Sequence, residues 1–419
     1  MSISRLSFRG VFGNRNREFF VSFARLMLVC GVTAAWAVSF GLGTQATSHW
    51  LKLHDASDTL IGLVHAAYYL GVAAVALGVP KLTARFGLGT CSLGMFLSAV
   101  SLAIFPFVGG AAGWLAVRFL CGAGCALSLI PLETYLSRKS PATRRAEMFS
   151  YYAVALTLAG AAGIAIGLEG FNPDGILIHV LDSPRNAFLL GAAFPLVGSM
   201  VVQHGLAREE WDVGPRVDSV SLCWRKHFLS FGTAWGQGFL EGGMLAFLSL
   251  FLVSRGMTTS AAGALMGVTM VGVIAFQIPV AWIADRWGRR RTLLACYAVT
   301  ILGLLIVPWC TSHLWLGFWL FLFGACSGAM YPLGLALLDD KLPASSLARA
   351  YAWYLAMECV GSQLGAAAMG RSRDVWGGSV MFTVAAFALV GVLAIWKSLD
   401  LYSKRAVTPV ESEPVRRAA

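Results

Sequence analysis

Pro279-Val280-Ala281-Trp282-Ile283-Ala284-Asp285-Arg286-Trp287-Gly288-Arg289-Arg290-Arg291 sets one acid, a turn glycine and four arginines between two long apolar runs. Each flanking run is long enough to cross a bilayer as a helix, which takes ~20 apolar residues. The charges between them must lie outside the hydrocarbon. Arginines in a short loop between two spans also fix that loop on the cytoplasmic side.

A degenerate partner stands upstream, in Gly78-Val79-Pro80-Lys81-Leu82-Thr83-Ala84-Arg85-Phe86-Gly87. At one fixed offset Gly62, Gly71, Arg85 and Gly87 fall on Gly263, Gly272, Arg286 and Gly288, as the duplication of a six-span half would leave them. In the first copy Ala84 replaces the acid and the basic run is shorter. The plainer reading of both loops is a pair of positive-inside anchors.

Composition leads to the same class without a motif. The chain is 57% apolar and 13% charged, with a mean hydropathy of +0.70. Soluble domains carry roughly 25% charged residues. The net charge of +11 is no nucleic-acid footprint, because most Lys and Arg fall on loops and tails expected on one side of a membrane. Nine cysteines form no CxxC and place no pair in an external loop, so they read as small space-filling thiols.

Residues 1–23 form a polar, basic segment expected in the cytoplasm. Six spans follow at 24–43, 60–80, 88–109, 112–136, 147–168 and 186–206, then a charged linker over 207–227. A second six are expected at 228–253, 261–284, 292–310, 313–338, 348–370 and 377–398, with a cytoplasmic tail over 399–419. The fold class is therefore an all-α membrane protein of twelve transmembrane helices in two six-helix bundles, 24–206 and 228–398, with both termini cytoplasmic. The longest external loop, Glu169 to Arg185, holds the turn Asn172-Pro173-Asp174-Gly175. Glycines recur at helical spacing at Gly160, Gly163, Gly167 and Gly170, where small residues let helices approach closely.

The pattern D-R-x-G-R-R-R after an apolar helix resembles the signature loop of the major facilitator superfamily, which stands between spans two and three and again between spans eight and nine. Ile61-Gly62-Leu63, Tyr68-Tyr69-Leu70-Gly71, Arg118-Phe119-Leu120-x-Gly122, Glu133-Thr134-Tyr135-Leu136, Tyr331-Pro332-Leu333 and Asp339-Asp340-x-Leu342-Pro343 are similar to the YcaD-like bacterial branch. The resemblance covers nearly the whole chain. It implies the fold more firmly than the solute, since one architecture serves many cargoes. The G-P-x-x-G-G run of many drug/proton antiporters is missing from span five.

A charge near mid-membrane needs a partner, a wet cavity or a proton. Glu241 in span seven and Glu358 in span eleven are both near mid-depth, and both are proton-coupling candidates. Each has the alternative of a hydrogen-bonded carboxyl that merely links helices. The cavity candidates are Arg118, His65, Tyr68, Tyr69, Gln237 and Tyr354. The resemblance implies for Arg118 a part in proton-coupled exchange; it is also placed to bind an anionic substrate, to pair with a carboxylate across the cavity, or to snorkel. For His65 the alternative is a neutral ring held by a backbone carbonyl.

The gating candidates are Asp285, Arg286, Gly288, Arg289, Arg85, Gly87 and Glu133. By resemblance, an ion-pair latch among Glu133, Asp285, Arg286 and neighbours such as Arg138, Asp339 and Asp340 would hold the cytoplasmic side closed in the outward-facing state. There is no phosphate-binding loop, zinc motif or hydrolase elbow, so no enzyme, cofactor or metal is expected. The expectation is a monomeric secondary transporter of the bacterial inner membrane, moving a small organic solute by alternating access with protons as coupling ion. A transporter-like receptor or assembly factor without flux is the alternative.

Overall fold

The computed structural model describes residues 9–139, 145–173, 175–206, 224–339 and 344–407. Asp174, Asp340, Cys223 and nearly all of the linker lie outside the described residues, as do the side chains of Arg138 and Asp339. The described residues are helical almost throughout. In order run α1 (Arg9–Leu53), α2 (Asp58–Ala76), α3 (Val79–Phe86), α4 (Gly89–Ile104), α5 (Ala111–Lys139), α6 (Arg145–Glu169), α7 (Ile176–Leu181), α8 (Pro184–Val201), α9 (Trp224–Ser254), α10 (Thr259–Trp287), α11 (Arg289–Ile306), α12 (His313–Asp339), α13 (Ala344–Trp376) and α14 (Val380–Val407).

Eleven of the described helices are long and apolar enough to cross a membrane. α13 has the length, at 33 residues, but Glu358 and Gln363 dilute its apolar stretch, and Arg371, Arg373 and Asp374 follow beyond it. α1 outruns the expected span by ten residues, to Leu53. Past residue 43 the chain turns polar, with Thr44, Gln45, Thr47, Ser48 and His49, yet no Gly or Pro interrupts it and all five are buried.

The duplication read from the loops recurs in local structure. Ser57 caps α2 by accepting the Leu60 amide, and Thr258, at the same offset, caps α10 by accepting that of Ala261. Gly87 and Gly288 both sit at positive φ, 54° and 92°, which a side chain rarely tolerates, and there the chain turns into α4 and α11. A Cβ on Gly71 of α2 would collide with the Phe119 carbonyl of α5, and one on Gly272 of α10 with the Phe321 carbonyl of α12.

The same correspondence governs the innermost pairs. Gly41 of α1 meets the Gly160 carbonyl of α6, and Gly242 of α9 meets the Ser362 carbonyl of α13. Backbone-to-backbone approach supplies dispersion contacts where lipid gives no hydrophobic drive to associate. Within the first half α1 packs on α6 and α8, and α5 on α2 and α4; within the second α9 packs on α13, and α12 on α10 and α11. α2 against α13, α6 against α10 and α1 against α9 join the halves.

Candidate functional site

The interface between the halves is sealed at one end. Along α1 every residue from 41 to 51 is buried, and along α9 every residue from 246 to 252. There Gln45 donates from Nε2 to the Leu245 carbonyl at 3.0 Å and accepts from the Ser249 hydroxyl at 2.7 Å. With its proton committed to Gln45, Ser249 accepts from His49 Nε2 at 3.3 Å. Alongside, Arg373 Nε donates to Asp58 Oδ2 at 2.9 Å, and Asp374 accepts the amides of Asp58 and Thr59 at 2.9 and 2.6 Å. None of these groups stands out by hydropathy; the available signal is the helical spacing of Gln45, His49 and Lys52 along α1.

Toward the other end the same two helices become accessible. Ala34, Ala35, Val38 and Phe40 of α1 are half-buried, as are Trp235, Gln237, Glu241 and Leu245 of α9. α9 is otherwise enclosed by protein, so its half-buried stripe faces an internal cleft. These half-buried positions lie on the side of the sealed segment nearer Arg85 and Arg286.

Three close approaches set the depth of the charged groups. A Cβ on Gly238 would strike the Glu358 carbonyl, which puts Glu241, one turn along α9, beside Glu358 on α13. Gly62 of α2 meets the Ala366 carbonyl of α13, and two turns from there along the antiparallel pair Tyr69 comes level with Glu358 and Cys359. Gly122 of α5 meets the Tyr68 carbonyl, which brings Arg118, one turn back, to the same level. Tyr69 accordingly feels the charges of Glu241, Arg118 and Glu358 together. Tyr331 of α12 lies beside Glu358.

Arg118 is 3% exposed, so it does not snorkel. Its guanidinium lies over the Tyr68 ring, 4.8 Å from the centroid, and donates to His65 Nδ1 at 3.5 Å. A guanidinium only donates, so Nδ1 accepts and His65 is the neutral Nε2–H tautomer. That proton goes to the Ser48 hydroxyl at 2.8 Å, not to a backbone carbonyl.

The remaining candidates divide. Gln237 and Tyr69 are half-buried at the cleft. Tyr68 is buried beneath Arg118, and Tyr354 is fully enclosed with Phe231 and Leu338, its hydroxyl donating to the Tyr331 carbonyl at 2.8 Å, so Tyr354 contributes no cleft surface. Glu133, Asp285 and Arg286 make no ion pair with one another here. Glu133 accepts from Tyr152 at 3.1 Å, Arg286 stacks 3.6 Å from the Trp282 ring centroid, and Asp285 is exposed. Arg289 reaches back to the Ala336 carbonyl at 2.8 Å, and Arg85 lies over Phe86. Among the described residues no His, Cys, Asp and Glu cluster could hold a metal ion.

The sequence profile of the Major Facilitator Superfamily matches residues 19–270 and 228–418, which together span nearly the whole chain. The chain belongs to the major facilitator superfamily. It falls in the YcaD-like branch, as a transporter and not an enzyme: it is 25% identical over 350 residues to YcaD, an uncharacterised MFS-type transporter of Salmonella enteritidis, covering 81% of this chain and 86% of YcaD. An uncharacterised MFS-type transporter of Yersinia enterocolitica is 23% identical over 390 residues, covering 90% and 96%.

Solved superfamily structures share the fold. A bacterial homologue of the human lysosomal transporter Spinster, in an inward-facing and occupied conformation, aligns with a TM-score of 0.70 at 15% identity, covering 90% of this chain and 96% of that one. A D-xylose–proton symporter gives 0.70 at 14%, covering 90% and 97%.

Proposed function

We propose that this superfamily member is a proton-coupled secondary transporter of a small organic solute, working by alternating access, and that the conformation described is inward-open. Twelve spanning helices in two bundles of six follow if polar α13 is the twelfth, lined on one side by the cleft. Arginine-rich loops belong on the cytoplasmic side, which makes the sealed end external. The bacterial relatives support an inner-membrane location, and the chain is read as acting alone.

One observation carries the coupling: Glu241 and Glu358, from two helices, stand side by side and half-buried between the halves. Two carboxylates this close repel when both are ionised, and a proton taken up by the pair relieves the repulsion. Uptake and release of that proton would track the side to which the cleft opens. The inward-facing Spinster homologue and the D-xylose–proton symporter are fold neighbours consistent with this reading. The absence of an ion pair among Glu133, Asp285 and Arg286 fits a cytoplasmic side that has opened.

Reconstituted protein, screened in proteoliposomes against a metabolite and drug panel under an imposed pH gradient, tests the proposal. The expected result is a gradient-driven flux that Glu358→Gln abolishes. Partner binding without flux of any panel solute would favour the receptor reading instead.

A further inference from the structure

Arg118 presents an unbalanced charge. It is nine-tenths buried or more, its Nε has no hydrogen-bond partner, and among the described residues no carboxylate pairs with it. Its neighbours, a neutral histidine, the Cys121 thiol and the face of Tyr68, supply no full negative charge to compensate it. A guanidinium does not give up its proton at any relevant pH, so the site, as built from the described residues, calls for an anion.

Across the same level of the cleft the imbalance is reversed. Among the described residues Glu241 and Glu358 have no Lys or Arg partner, and only Tyr331 lies beside Glu358 to share its charge. The positive site is built on α5 and α2 of one half, the negative site on α9 and α13 of the other, and Tyr69 is close to both. A solute that satisfies both must carry an anionic group and a cationic group at opposite ends.

We propose that the cleft binds a small zwitterion, its carboxylate on Arg118 and its ammonium between Glu241 and Glu358. The assignment rests on the transporter reading above and names its solute class. Such a ligand ties one half to the other through its own length, so occupancy bears on how the halves are set. The ammonium also replaces the relief of repulsion that a shared proton gives the carboxylate pair, which links solute binding to proton release.

The test edits the ligand before the protein. Detergent-purified full-length protein is titrated calorimetrically with glycine, β-alanine, 4-aminobutyrate and 6-aminohexanoate, then with the methyl ester and the N-acetyl form of whichever binds tightest. The expected result is that one chain length is preferred and that removing either charge weakens binding by at least about tenfold. Arg118→Gln should then weaken the amino acid while leaving its methyl ester unchanged, and Glu241→Gln with Glu358→Gln should do the same for the amino acid against its N-acetyl form.

Because the first arm uses unaltered protein, it does not depend on the variants folding. An ester or N-acetyl form that binds as tightly as the amino acid overturns the proposal. So does a series in which no member binds. If that happens while another solute is driven by the pH gradient, the zwitterion assignment falls and the transporter reading stands. If an amino acid binds with the expected charge dependence but no solute is ever moved, the site stands and transport falls.

Discussion

Arg373 on α13 and Asp58 at the start of α2 form a buried ion pair, 2.9 Å from Nε to Oδ2, across the boundary between the two halves of the chain. Their side chains are only 5% and 10% exposed, and Arg373 also lies over the Phe247 ring. Lys52 joins from the surface at 3.1 Å. A desolvated pair of this kind depends on both partners being present, since removing one leaves an uncompensated charge.

Asp58→Asn should therefore release the sealed end, at a cost of about 3 kcal/mol to the closed arrangement. Reaction of Ser249→Cys with a membrane-impermeant maleimide added outside the cell reads the change, because Ser249 is fully buried within the sealed end. Faster labelling is expected, and the Asp58→Arg, Arg373→Asp exchange should slow it again. Unchanged labelling in Asp58→Asn would show that the pair does not hold this end.

The same end should loosen in acid. Burial raises the pKa of Asp374, but the hydrogen bonds it accepts from Thr59 and Asp58, with Lys52 nearby, outweigh that and leave it lowered from 3.8. A lowered carboxyl pKa stabilises the arrangement above the ordinary value, and that contribution is lost as pH falls through the lowered one. External labelling of Ser249→Cys should thus be flat down to about the ordinary carboxyl pKa and rise below it. Asp374→Asn should remove the rise.

Helix spacing gives a third prediction. Gly238→Ala would push its methyl into the Glu358 carbonyl and force α9 from α13. Overpacking of this kind costs about 1–3 kcal/mol, to be seen as a lower melting temperature in detergent. Gly391→Ala, where a Cβ meets nothing within 4 Å, should be neutral or slightly stabilising. Equal effects at both positions would contradict the packing described.

The sequence made the membrane class and the duplication legible because both rest on local signals. Apolar runs of spanning length need no partner to be recognised; Gly71 and Gly272 keep their spacing because facing backbone leaves no room for a side chain, and Gly87 and Gly288 because their positive φ disfavours one. Glu241 and Glu358 stood out for the expense of a mid-membrane charge. What hydropathy hid was the sealed end: Gln45, Ser48 and His49 dilute the apolar signal of α1, so its span looked finished at residue 43 while the helix ran on. Tyr354 failed as a cleft residue for a related reason. Sharing a helical face with Glu358 fixes direction, but the packing of Phe231 and Leu338 over that face appears only when α9 and α12 are in place.

Alternating access is tested most directly by electron-spin distances across both ends of the reconstituted protein in a cysteine-free background. One labelled pair, Asp55→Cys with Trp376→Cys, straddles the sealed end; the other, Phe86→Cys with Trp287→Cys, straddles the basic-loop end. The account predicts two populations in which one distance lengthens as the other shortens, with Asp58→Asn favouring the form open at the sealed end. A sealed-end distance that stays single and short under every pH and in Asp58→Asn would contradict it.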